Sequence, residues 1–567
     1  AAGPVDARPL CSLDWAVRLP LSLLLLVRPS ASALLAAHVS NLLLWAVWMP
    51  MAWDHMCWAA LLEASLVVCA TASGAANLPQ YGRRLSGATV FRYCSTVLCA
   101  QHAVLYVVAA FWKLTTSFLD HRTSCATVLF AELATVLPDA ALEALLPPGG
   151  PAAELLLRAA PALTVALELA IGPLLVLSPR AGVVAGLLFH TSINLLPLNY
   201  AAGFSLMCVA RYGLFLPATP DALAEAFAAG PAAAYAAVAA VAAAACAQLH
   251  GGIDSHFVGC GLLAALYLRA MALPAPLAEV CARGGRVALA VGLATLATLS
   301  WGIGGPVLGL QQMSGLTMYA NLKHWGGSNH LLLPTNLLAE TDWLPEAASR
   351  AKLPLLSALL AIFGRAQGQV VRVDATNSSV LRELSPADST PLLPAHAVAL
   401  MRASGASGRY YGQYCARMFV GRDNDLPSSG TIGNAVAGAG PKSAGAEEGE
   451  ELPYALTAYE LRRLLAAARA HGEPFTLTFT PSLPTAGSPA DWRDFVGDSA
   501  SLVEDPSAGR AECTIAGADC ASHKAAAVVA LMSAAPPRWL SKVLMAYPVP
   551  LLPPSEADPG TEVHCSA

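Results

Sequence analysis

Residues Phe91–Lys113 read FRYCSTVLCAQHAVLYVVAAFWK, and no charged residue lies between Arg92 and Lys113. A helix needs about 20 apolar residues to cross the hydrocarbon core of a bilayer. This stretch therefore predicts a membrane-crossing helix. Its polar members are not scattered. His102, Tyr106 and Lys113 are four and seven residues apart, a spacing that sets all three on one helical face. An ionisable group inside a bilayer is costly, so it is read first as functional.

Similar apolar runs lie on both sides: Ala33–Met51, Met56–Ala72, Leu155–Leu177, Gly182–Leu196, Ala201–Leu216, Ala228–Leu249, Phe257–Met271 and Val287–Ile303. Trp15–Val27 reads as a shorter entry helix or re-entrant piece, and Ser124–Leu137, which ends at Pro138, as a second short one. The pair around Leu196–Ala201 reads either as two helices or as one bent helix. The sum is about eight to ten crossings at the length a bilayer demands. Prolines 50, 79, 138, 147, 148 and 179 fall between these runs, where a missing N–H does no harm.

Composition agrees. The chain has 567 residues, of which 56% are hydrophobic and only 13% charged, against about 25% charged in ordinary soluble domains. The deficit is concentrated before Pro306. Beyond it, VVRV (Val370–Val373) and FTLTF (Phe475–Phe479) read as strands. Ala455–Ala470 reads as a helix, with Leu456, Leu461, Leu464 and Leu465 at helical spacing. Residues 431–451 are Gly/Ala/Ser-rich and then acidic, the pattern of a flexible loop. The fold class expected is a multi-pass α-helical membrane bundle followed by a soluble α+β domain. The divisions are an N-terminal segment or entry helix (1–30), a membrane domain (31–305) and a C-terminal domain (306–567).

A net charge of −5 with no basic stripe argues against nucleic acid as a partner. Membrane lipids are the expected surroundings. The fourteen cysteines show no metal-binding spacing. Cys57, Cys69, Cys94, Cys99 and Cys208 read as small buried hydrophobes. Cys415, Cys513, Cys520 and Cys565 could pair in an oxidising compartment. Asn377-Ser378-Ser379 is a glycosylation triplet.

The remaining intramembrane polar residues are His190 and Asn194, four apart in FHTSIN, and Glu168 in LTVALELAIGPLL. A histidine and an asparagine on one face can lock helices together by hydrogen bonds. A carboxylate in such a span needs a partner or stays protonated. Lys113 either snorkels to the interface or is a partly buried amine usable as a base. His55 stands at the mouth of a span, and Glu63 and Glu132 pose the carboxylate question more weakly.

In order along the chain, five stretches resemble the HTTM family, which includes the vitamin K-dependent gamma-glutamyl carboxylases. They are AWDHMCWAALLEAS (with His55), YVVAAFWKLTTSFLDH (with Lys113), ALELAIGPLLVL (with Glu168), GLLFHTSIN (with His190 and Asn194) and TMYANLKHWGGSNHLLLP (Thr317–Pro334). The likeness covers about residues 30–335. The chain has Trp112-Lys113 where members often have two lysines, and Ala110 where the motif has Gly.

The resemblance implies an enzyme of the carboxylase kind. Lys113 would be the base toward a vitamin K-like hydroquinone, with His55 assisting. His190, Asn194, Glu168, His102 and Tyr106 would form the cofactor pocket, and O2 and CO2 would be co-substrates. It also implies an ER membrane and a peptide substrate at the soluble domain. The residues leave another reading open: a non-catalytic accessory or scaffold subunit of a larger membrane complex, in a plastid or other organelle membrane. A transporter is a third reading, though no inverted repeat supports it.

Overall fold

The computed structural model describes residues 17, 20–24, 31–48, 54–75, 87–197, 202–216, 232–250, 254–272, 285–310, 316–325, 327–341, 343–368, 370–378, 381, 393–406, 410–411, 454–470, 472, 474–482, 498–520 and 565–566. Helices dominate up to residue 368, and a small antiparallel sheet follows.

The first helices are α1 (Ala31–Trp48), α2 (Asp54–Ala75) and α3 (Gly87–Trp112). A one-turn helix α4 (Thr116–Leu119), α5 (Cys125–Ala134) and α6 (Asp139–Leu145) follow. The long α7 (Pro151–Leu177) turns sharply into α8 (Pro179–Asn194), and α9 (Ala202–Tyr212) comes next. Then come α10 (Ala232–His250), α11 (Ser255–Ala272) and α12 (Gly285–Leu299). A π-turn at Ser300–Gly304 carries α12 into α13 (Gly305–Leu308).

Among the described residues, three helices are long and apolar enough to cross a membrane: Cys94–Trp112, Pro151–Leu177 and Ala288–Leu308. The other expected crossings fall on shorter apolar helices, among them Leu35–Ala46, Cys57–Thr71, Ala233–Leu249 and Ser255–Met271. Outward-facing Leu43, Val68, Leu188, Val241, Leu289 and Leu296 are exposed. The outside of the bundle thus carries large apolar side chains on several of its helices.

α3 is the central element, packed against α2, α7 and α12. Small residues allow this. A Cβ on Gly172 of α7 would lie 2.7 Å from the Ala103 carbonyl of α3, so only glycine permits the approach. Gln101 of α3 donates to Ser65 Oγ of α2 (2.9 Å) and to Thr298 Oγ1 of α12 (3.1 Å). One buried amide thereby joins three helices.

Two separate helices flank the segment around Leu196–Ala201, of which residues 198–201 lie outside the described residues: α8 ends at Asn194 and α9 begins at Ala202. α8 and α9 fold against each other, and His190 Nδ1 reaches Ser205 Oγ across the pair (3.2 Å). The short apolar run at 124–137 forms α5, started by a Ser124 side-chain cap on the Ala126 N–H. Its apolar surface is covered by protein, in a core shared with the first half of α7 and with Ala397, Leu400 and Met401 of α17 (Ala395–Ala403). The Trp15–Val27 run lies largely outside the described residues, as does the 431–451 loop.

Beyond the bundle come α14 (Leu337–Glu340), α15 (Trp343–Arg350) and α16 (Pro354–Gly368). The sheet contains β1 (Val370–Thr376), β3 (Tyr454–Thr457), β4 (Phe475–Ser482), β5 (Ala500–Asp505), β6 (Arg510–Ile515) and β7 (Ala518–Asp519). Its order is β3-β1-β4-β5-β6-β7 and every pairing is antiparallel. The tiny strands β2 (Tyr410–Tyr411) and β8 (Cys565–Ser566) pair in parallel.

The two expected strands are β1 and β4. The expected helix at 455–470 needs correction. Ala455, Leu456 and Thr457 belong to β3, and the helix, α18, spans Ala458–Ala470. Leu456 fits the helical spacing by coincidence. Its side chain is claimed by pairing with Val371 in the sheet. α18 lays Leu461, Leu464, Leu465 and Ala468 on Val371, Phe475, Phe479 and Leu502. Complete burial of each such large apolar side chain is worth about 1.5–3 kcal/mol.

Candidate functional site

Two polar clusters sit on one face of α3. At its end the chain turns, and Lys113 folds inward, with its N–H on the Ala110 carbonyl (3.2 Å). Its Nζ lies 2.9 Å from Glu168 Oε2 of α7, and both side chains are buried. The Phe118 ring lies beneath, 6.0 Å from Nζ to its centre. Of the two sequence readings of Lys113, the buried amine is the one the structure shows. Glu168 finds its partner 55 positions back in the chain.

The second cluster is two turns along α3. Tyr106 Oη is 2.7 Å from His190 Nε2 of α8 and makes a short hydrogen bond to the Tyr212 hydroxyl of α9. Ser205 completes the chain at His190 Nδ1. Gly186 makes room for it: a Cβ there would lie 2.1 Å from the Tyr212 hydroxyl. His102 is fully buried among the rings of Trp58, Tyr106, Tyr212 and Phe215, with centroids at 5.1–5.6 Å. Neither of its ring nitrogens has a hydrogen-bond partner among the described residues. A buried polar group in that condition calls for a water or a ligand.

The expected set is thus only partly assembled. Lys113 pairs with Glu168, and Tyr106 and His190 meet beside His102. Asn194 is buried but turns to the Cys260 thiol of α11, where it serves packing between helices. His55 stands in the first turn of α2, and its side chain lies outside the described residues. Trp58, one turn further along α2, is the residue of that motif that reaches His102.

Tyr212, Ser205 and Trp58 did not emerge from the sequence as site residues. Tyr212 follows Arg211, a cation near the end of an apolar run, the usual place of a side chain that snorkels to the interface. Arg211 instead stacks on the Trp58 ring at 4.8 Å and donates to the Met207 carbonyl (2.8 Å).

The Lys113 turn is braced by the segment Thr317–Pro334. Thr116 N–H donates to the Asn329 carbonyl and Leu331 N–H to the Leu114 carbonyl, both at 2.9 Å, flanking a β-bridge between Thr115 and His330. Asn329 donates to the Asn321 carbonyl (2.7 Å) and to Ser117 Oγ (3.1 Å), and accepts from Lys323 N–H (2.8 Å). Asn321, in the left-handed region at φ 48°, ties Cys125 N–H and the Thr123 carbonyl. Ser328-Asn329-His330 is therefore a clasp on the Lys113 loop.

His330 fixes its own protonation state. Nε2 lies 2.9 Å from the Phe111 carbonyl, and Nδ1 accepts from the N–H groups of Leu332 (3.2 Å) and Leu333 (3.0 Å). A carbonyl only accepts, so Nε2 carries the proton and Nδ1 is bare. Burial holds the pKa below its ordinary 6.5, against a smaller upward pull from the Phe111 carbonyl. The unfolded chain therefore binds this proton more readily than the folded one. The clasp's stability is fully present above about pH 6.5 and falls as pH drops toward the folded pKa. Thermal unfolding followed from pH 8 to pH 5 should show a steeper loss in the native protein than in His330→Gln. Parallel curves would show that His330 does not titrate in this way.

Together, fold and site define, among the described residues, a largely helical protein with three apolar helices of membrane-crossing length, two buried polar clusters along its central helix, and a C-terminal antiparallel sheet. The family model of a domain of unknown function, DUF8388, matches residues 328–542, from the clasp through the sheet. No curated protein and no solved structure matches the chain.

Proposed function

We propose that the bundle is a multi-pass membrane domain that holds a quinol-class lipid cofactor, with Lys113 as the group that takes a proton from it. The observation that carries the reading is the buried Lys113–Glu168 pair, on the same face of α3 as the unpartnered His102. The HTTM resemblance points the same way.

The residues present fit such a group. Its flat ring suits the aromatic walls around His102, and a ring oxygen would satisfy a His102 nitrogen. Lys113 and Tyr106 are seven residues apart, about 10 Å at 1.5 Å per residue. This separation gives a ring with an oxygen at each end one polar group per end. When bound, a quinol supplies the reducing power for an oxygenation that carboxylase-type chemistry couples to CO2 addition.

The chain's own residues hold and move protons. Lys113 can accept one only as a free amine, which requires that Glu168 first carry the proton the two share. Accepting a proton from the quinol hydroxyl then restores an ammonium beside the carboxyl group. Tyr106, Tyr212, His190 and Ser205 form a continuous hydrogen-bonded path across α3, α8 and α9. The apolar walls exclude water, which strengthens each charge in the site.

Binding tests this. Titrating purified protein with a soluble quinol analogue should give saturable quenching of tryptophan fluorescence, weakened about tenfold (1.4 kcal/mol) in Lys113→Gln. Equal binding by both proteins would remove Lys113 from the site. An absence of binding, with a stoichiometric partner co-purifying, would favour the accessory-subunit reading.

A further inference from the structure

The hairpin α15–α16 is built unlike the rest of the C-terminal region. Pro354–Gly364 is an apolar helical stretch with no charged residue. A protein interior would be its usual place, yet Leu355 is 74% exposed and Leu353, Leu356 and Ile362 are exposed with it. Leu355, Ala358 and Ile362 recur at i, i+3 and i+7, so they form one stripe. Trp343, at the start of α15, is exposed as well. Contiguous apolar patches of this kind mark contact surfaces.

The opposite face is committed to protein. Gly364 presses on the α14 backbone, where a Cβ would lie 2.2 Å from the Leu338 carbonyl. Ser357 Oγ donates to the Pro345 carbonyl (2.8 Å) and closes the hairpin. Charges gather at its corner and rim: Arg350 pairs with Glu346, and Lys352 is exposed in a left-handed turn at φ 58°.

Location identifies the occupant. α14 is tied to the end of the third long apolar helix by Asn336 N–H on the Pro306 carbonyl (3.0 Å). The clasp fixes Leu331 and Leu332, also exposed, beside the end of α3. The hairpin is thus held where two membrane-length helices end. Its apolar stretch is too short to span a bilayer. An apolar stripe with a tryptophan and flanking cations is the pattern of a helix lying in the interface.

We propose that α15–α16 is an interfacial anchor, its Leu353/Leu355/Leu356/Ile362 face seated in the lipid headgroup–acyl boundary at the end of the bundle that carries Lys113. This rests on the membrane reading of the bundle. It makes the α+β domain a body held against the membrane surface.

Spin labelling of the full-length protein in phosphatidylcholine nanodiscs tests it, with the unsubstituted protein giving the background. Labels would be placed at Leu355→Cys, at Leu188→Cys on the outside of α8, and at Val503→Cys on the exposed face of β5. The expected result is an oxygen-to-nickel-chelate collision ratio at Leu355 several-fold above that at Val503 and near that at Leu188. A ratio at Leu355 equal to that at Val503, with Leu188 in lipid, overturns the anchor and leaves the bundle reading standing. Aqueous values at Leu188 as well would overturn the bundle reading itself. A Leu355 label shielded from both reagents would mean that a protein surface covers the hairpin, which also overturns the anchor.

Discussion

Glu168→Leu is expected to destabilise the bundle by about 3–5 kcal/mol, because it leaves the Lys113 ammonium buried with no counter-charge. The pair is enclosed on both sides, at 2.9 Å, and Lys113 turns in toward α7. Lys113→Met should also destabilise, but by less, because the carboxyl group left behind can take up a proton. The double variant Lys113→Met/Glu168→Leu removes both charges and should recover most of the loss, since well-packed apolar side chains replace buried ion pairs at little or no cost. Unfolding of the purified protein by denaturing detergent, run as a double-mutant cycle, measures the coupling. Additive losses would show that the two groups do not meet. The same double variant separates structure from function. A stable double variant that no longer binds quinol assigns the pair to chemistry, whereas unchanged binding assigns it to packing.

That pair also shows what the sequence could convey. Apolar runs are readable because they are a statement about composition, but among the described residues only three of them fall on helices of membrane-crossing length, and the others form shorter helices. His102, Tyr106 and Lys113 could be placed on one face from spacing alone. Which of them touch Glu168 or His190 depends on how α3, α7 and α8 pack, and spacing within one helix carries no such information. Asn194 illustrates the limit. It lies one turn from His190, yet the approach of α11 turns it to Cys260. Leu456 illustrates another: it stands five residues before Leu461, near enough to helical spacing to be counted with the helix until its partner strand is known. The clasp was legible only as a turn, because its meaning lies in bonds to residues some 200 positions earlier.

Cysteine pairing is the last case, and it carries the second large effect. Cys125, in the short run Ser124–Leu137, is not among the cysteines that the sequence offers for pairing. In the structure it is joined to Cys565, 440 residues away, while Cys513 and Cys520 join each other only seven apart. The first bond staples α5 to the end of the chain, where Cys565 holds β8 beside β2. The second spans the turn between β6 and β7. In the chain-entropy relation, cross-linking stabilises by restricting the unfolded chain, in proportion to the logarithm of the loop closed. The 440-residue loop should thus be worth roughly 3–4 kcal/mol more than the seven-residue one. Cys125→Ser is accordingly expected to lower the unfolding midpoint far more than Cys513→Ser, and reductant should bring the native protein to the midpoint of the doubly substituted form. Equal midpoints for the two single variants would mean that the long bond constrains nothing. If the long bond does constrain the chain, the face of α5 and the C-terminal strand pair must meet an oxidising compartment during folding. On the proposed membrane reading of the bundle, the end that carries Lys113 would then face away from the reducing side.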